Sequence, residues 1–198
     1  MELSPGLIIG GTCGLVALVV FAALVVVALR WSKKSAAAWQ EAAQRTGLTI
    51  TKQNFPELHG RLDGVEVAAD VFLQQAGVTG AGRSRSRGYT RVRAQLPAGL
   101  KEKMQVRSRR QRYGGETGLP PRTTGDAAFD AQYELYAPAG ADLAALLPVE
   151  ARAALRAAPL PVHIVGGAVL WCKLRVVRDA AELEQALRTC AGIAAAFR

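Results

Sequence analysis

A chain of 198 residues leaves room for one ordinary domain of about 150 residues beside a separate apolar segment. Arginine outnumbers lysine 19 to 6 and Asn54 is the single asparagine, a usage that reflects GC-rich coding and says nothing of fold. The formal net charge is +9, with two histidines, His59 and His163, far apart in sequence and no Cys-x-x-Cys pair, which argues against a structural zinc site.

After a short tail over residues 1–6, Leu7 to Leu29 runs without a charge and is built almost wholly of Leu, Val, Ile, Ala and Gly, ending at Arg30. A helix of about 23 residues rises roughly 35 Å, so the run is expected to be a transmembrane helix. No Lys or Arg precedes it, and its apolar core is longer than a signal peptide needs, which argues against cleavage. Arg30, Lys33 and Lys34 follow the run, so the positive-inside rule predicts a single-pass protein of the cell inner membrane with the remaining chain in the cytoplasm. Cys172 and Cys190 would then be reduced thiols, whereas the reverse topology would let them pair. Gly6, Gly10 and Gly14 recur at every fourth residue, a candidate homodimer face, although the ordinary glycine content of a membrane helix explains the spacing better.

Residues 30–47 read as a basic flank followed by a helix. Ser35 to Arg45 is rich in helix formers, and Gly47 stands where a C-terminal glycine is expected. Trp31 suits a headgroup interface and Trp39 the core. From residue 48 to 198 we expect one α+β domain of mostly antiparallel strands with helices packed on one face. Leu48 to Val71 alternates and is broken by Gly60 and an Asp63-Gly64 turn. Further strands are predicted over Tyr89 to Leu96, Lys103 to Arg109 and Phe129 to Tyr136. Helices follow over Asp142 to Leu147 and Val149 to Ala157, then a hairpin around Gly166-Gly167, and a last helix capped by Asp179.

The charge is local. Residues 83–112 hold eleven Lys or Arg against Glu102 alone, a net +10, so the rest of the chain carries −1. Arg83, Arg85, Arg87, Arg91 and Arg93 occupy odd positions while Val92, Ala94 and Leu96 occupy even ones, and Arg107 and Arg109 repeat the phase opposite Met104 and Val106. Side chains alternate across a strand, so the segment reads as a basic hairpin with these seven arginines on one face. Facing like charges destabilise paired strands, and a bound anion would relieve that. A solvated basic face accounts for the pattern equally well. As an anion site it would take anionic lipid, where each Lys or Arg gains roughly 1 kcal/mol near the surface, or an acidic protein. Tyr89 and Tyr113 alone offer stacking platforms, which argues against nucleic acid.

No phosphate loop, dinucleotide fingerprint or nucleophile elbow is present, so no cofactor, metal or catalytic residue is assigned. Asp126 and Asp130 are the one pair of carboxylates to weigh as acid and base, and turn chemistry explains them better.

The Gly-Arg-Leu-Asp-Gly-Val turn, the Tyr-Thr-Arg-Val-Arg-Ala strand, the Thr-Gly-Asp-Ala-Ala-Phe-Asp segment and the Ala-Leu-Leu-Pro-x5-Ala-Leu helix, behind an apolar span, together resemble uncharacterised membrane-anchored proteins of GC-rich bacteria, myxobacteria among them. That resemblance covers most of the chain, implies a shared fold, and transfers no catalytic residue. The expected function is a membrane-tethered, non-enzymatic interaction module. The alternatives are a small membrane-proximal enzyme using Asp126 and Asp130, and a scaffold subunit of an envelope complex.

Overall fold

The computed structural model describes residues 5–52, 56–78, 84–100, 104–111 and 118–198, with side chains described throughout except at 5–19, 28–29, 31–32, 52, 74–78 and 84–86. The first element, α1, is one α-helix from Pro5 to Thr46. Among the residues described, no helix is long and apolar enough to cross a membrane. The expected single-pass transmembrane helix over 7–29 is corrected accordingly. The break expected after Leu29 is missing because nothing between Arg30 and Arg45 is a glycine or proline and most of it favours helix. Residues 7–29 are thus the leading part of an element whose last turns sit in the domain core. Ala38, Trp39, Ala42 and Ala43 are buried there, and Trp39 Nε1 donates to the Val177 carbonyl at 3.1 Å.

Strands β1 (Thr49–Lys52), β2 (Glu57–Leu62), β3 (Val65–Val78) and β4 (Ser84–Gln95) follow. Asp63 at φ 51° and Gly64 at φ 79° make the tight turn between β2 and β3 that the Asp-Gly pair predicted. After a short 3-10 turn at Ala98–Leu100 come β5 (Gln105–Ser108), the two-residue β6 (Pro121–Arg122), α2 (Ala127–Asp130) and β7 (Tyr133–Tyr136). Phe129, expected in a strand, belongs to α2, because the Asp126 side chain accepts from the Phe129 N–H and starts a helical turn there. Helices α3 (Leu143–Leu146) and α4 (Val149–Ala157), the β8 (His163–Val165) and β9 (Ala168–Leu174) hairpin, and α5 (Ala180–Ala195) complete the chain.

The strands form one antiparallel sheet in the order β1-β2-β3-β4-β9-β8-β5-β7-β6. Its buried face carries Val65, Val67, Ala69, Val92, Ala94, Trp171, Val169, Ile164 and Val106, and against it lie α5 and the end of α1. The expected α+β domain with helices on one face is present. The expected hairpin over 83–112 is not: β4 pairs with β3 and β9, whereas β5 pairs with β7 and β8. The β8–β9 hairpin inserts between them because Leu170, Trp171 and Cys172 are apolar on successive positions, a strand fit to be buried on both faces at the middle of a sheet.

Candidate basic interaction surface

Alternation along β4 works as its sequence requires. Val92 and Ala94 are fully buried, and Arg91 and Arg93 stand half-buried on the opposite face. Register then extends that face across the sheet. Arg93 lies between Ala68 and Leu170, Leu170 pairs with His163, and Val106 opposite Ile164 brings Arg107 next to His163 and opposite Glu134. The arginines of β4 and β5 therefore do share a face. They stand three strand spacings apart, roughly 14 Å, with a strip of buried Leu170, Cys172 and His163 between them.

The charges on this face are largely held. On β3, Asp70 sits in register with Arg91 and accepts from its Nε at 2.9 Å and its Nη2 at 2.5 Å, while Arg93 Nη2 comes to 3.7 Å of the same carboxylate. Arg91 also covers the Phe72 ring at 4.8 Å, and Phe72 stacks on Tyr89 with ring centres 5.4 Å apart. Across the strip, Arg107 lies 5.1 Å over the Tyr136 ring and Arg109 is 3.1 Å from the Glu134 carboxylate. Arg87 is exposed, Arg83 lies outside the described residues, and so does the side chain of Arg85. Asp70 is the member that sequence reasoning missed. It is one of the two acids of β3, with Glu66, and it acquires meaning only once the register with Arg91 is fixed.

The strip between the arginines is buried. Ser108 N–H donates to His163 Nδ1 at 3.2 Å, so the ring proton sits on Nε2, and burial together with the Arg107 charge lowers the imidazole to a pKa of about 4. Burial raises the Cys172 thiol to about 11 against the opposing pull of Arg91. Cys190, on α5, packs on the other side of the sheet and is raised further by burial.

At the β6 end, an open pocket of about 470 Å³ is lined by Arg109, Arg122, Asp130, Glu134 and Tyr136 among others. Several of its polar groups have partners: Tyr136 Oη donates to Glu134 at 3.0 Å and Arg122 to the carbonyls of Pro138 and Ala139. Asp130 accepts from the Thr124 N–H and hydroxyl, and Asp126 caps α2 and meets Arg156 at 3.3 Å. The two carboxylates thus have separate structural tasks, and only Asp130 lines the pocket. Among the described residues no three His, Cys, Asp or Glu side chains gather as a metal site. Gly6 lies in α1 with Gly10 and Gly14, and their surroundings are outside the described side chains.

Fold and face together define an α+β protein with a nine-stranded antiparallel sheet, helices on one face and arginine-bearing strands on the other. No protein-family model matches the chain, and no curated protein matches it. Among solved structures, the chain is similar to the crystal structure of the mycobacterial trehalose monomycolate transport factor A, TtfA. The two are 11% identical, with a TM-score of 0.51, and the likeness covers 83% of this chain and 94% of that one. At that identity the likeness is one of fold.

Proposed function

We propose that this protein is a non-enzymatic interaction module of the cell envelope, and that its arginine-bearing strands engage an acidic protein partner. The observation that carries the reading is the length of β3 and β4. Among the described residues, β2 pairs with β3 as far as Ala69 and β9 pairs with β4 from Thr90, yet β3 and β4 stay paired to Val78 and Ser84. A two-stranded arm therefore leaves the sheet, bearing exposed Arg87 and ending beside the Arg91–Asp70 pair. The envelope setting is supported by the shared fold with a factor of trehalose monomycolate transport, and nothing of that factor's cargo is carried over.

An acidic protein suits the arm better than a lipid surface does. A narrow ribbon whose Arg91 and Arg93 are both held to Asp70 presents few charges to a flat bilayer, but it offers both side chains and backbone to a chain lying along it. Titration of the whole protein with polyglutamate, anionic phospholipid vesicles and single-stranded DNA tests this. Polyglutamate should bind, with affinity falling as salt is raised and weakening in Arg87→Glu. Binding to none of the three, or to vesicles alone, would overturn the reading.

A further inference from the structure

Beyond its charge, the arm has an open edge. On β4, the Thr90 N–H donates to the Arg175 carbonyl at 3.2 Å and the Gly88 carbonyl accepts from the Arg175 N–H at 2.8 Å, so residues 88 and 90 direct their backbone groups toward β9. Arg175 is where that neighbour stops. Its φ of 94°, in a region an L side chain rarely adopts, takes the chain out of line with β9 one residue after Leu174, and Val177 N–H then donates to Thr90 Oγ1 at 2.9 Å. Backbone groups alternate along a strand, so Ser86 and Ser84 point their N–H and C=O to the side that β9 has vacated. Among the described residues no strand pairs with β4 there.

Such an edge is a template for another strand. The arm's two faces define what that strand must carry. Opposite Arg87, on the face shared with Arg91 and Arg93, an acidic side chain gains a cross-strand charge pair. The other face holds Leu73, 61% exposed, in register with Gly88, whose missing side chain leaves Leu73 open to an apolar neighbour. We infer that an extended segment of a partner protein with alternating acidic and apolar residues adds to the edge of β4 at Ser84–Gly88, taking up the line that β9 leaves at Arg175. The inference rests on the interaction reading above and names how the partner is held.

The test uses the whole protein and a synthetic peptide of alternating valine and glutamate. A second peptide has the same charges but is N-methylated at alternate residues, so it cannot bond to a strand edge. The unmodified peptide should bind and slow amide exchange at Ser86 and Gly88. The N-methylated peptide should bind at least about fivefold more weakly, each lost edge hydrogen bond being worth roughly that factor. Ser86→Pro removes an N–H directed to the open edge while leaving those that face β3, and should weaken binding similarly. Equal binding of both peptides would overturn strand addition and leave the charge-based reading standing. Failure of both peptides and of polyglutamate would sink that reading too. Self-association of the free protein through this edge, seen as a dimer in sedimentation that the peptide does not dissociate, would overturn the partner in favour of a second copy.

Discussion

Asp70 on β3 grips Arg91 on β4 through two parallel bonds, and the same carboxylate lies 3.7 Å from Arg93. Three charged groups are thereby held at the root of the arm, with Asp70 and Arg91 each less than a third exposed. One acid holds both arginines and offsets one of their two charges, easing their repulsion along the strand, and Phe72 lies beneath the Arg91 fork.

Removing that acid should therefore destabilise the fold. Asp70→Asn is predicted to cost about 1–3 kcal/mol in urea unfolding, since it leaves half-buried guanidinium groups short of a charged acceptor. The double variant Asp70→Asn, Arg91→Gln should recover part of that loss, giving a coupling energy on the order of 1 kcal/mol in a double-mutant cycle. Additive losses would show that the pair is not coupled.

His163 predicts a pH dependence of known sign. Its folded pKa of about 4 lies below the ordinary 6.5, so between those values the unfolded chain takes up a proton that the folded chain refuses. Stability is unaffected by this group above pH 6.5 and falls as pH drops from 6.5 toward 4. Asn in its place can still accept from Ser108 N–H and does not titrate. Unfolding curves at neutral and mildly acid pH should show a smaller acid loss in His163→Asn than in the parent, and equal losses would contradict the assignment.

The cysteines should be inert while the protein is folded. Cys172 lies on the arginine face, in register with Arg91, and Cys190 lies on α5 against the other face, with burial raising both thiols. With Cys13, the third cysteine of the sequence, replaced by Ser, thiol reagents at neutral pH should label neither residue until denaturant is added. Rapid labelling of Cys172 in the native protein would show that the strip between the arginines is open.

Trp39 ties the end of α1 into the domain. It is fully buried and donates to Val177 just ahead of α5. Trp39→Ala should cost about 3–5 kcal/mol, whereas Trp39→Phe should cost less, losing the hydrogen bond but keeping most of the packing. A negligible loss in Trp39→Ala would separate α1 from the core.

Local signals carried much of this fold. Asp63-Gly64 and Gly166-Gly167 both sit at positive φ where the hairpins turn, Asp179 accepts from Ala181 N–H at the start of α5, and Trp39 lies in the core. Alternation put Arg91, Arg93 and Arg107 on one face correctly. Strand order was not legible, because the proximity of β4 and β5 in sequence suggested a hairpin and only the doubly buried β9 shows why another pair separates them. Phe129 was misassigned to a strand because one cap at Asp126 outweighs a short alternating pattern. The end of the apolar helix expected at Leu29 rests on hydropathy and charge, neither of which interrupts a helix when most of the residues that follow favour helix. Asp70 escaped notice for the reason that governs any cross-strand pair: its meaning lies in a register that no local pattern prints.

The most direct test of the central claim is to locate where an acidic chain binds. Residue-resolved amide exchange of the whole protein, with and without polyglutamate at low salt, should show new protection confined to the arm, strongest over residues 84–88 and lost in Arg87→Glu. Protection that leaves the arm unchanged and falls instead on the pocket beside β6 and β7, or on α1, would contradict the account.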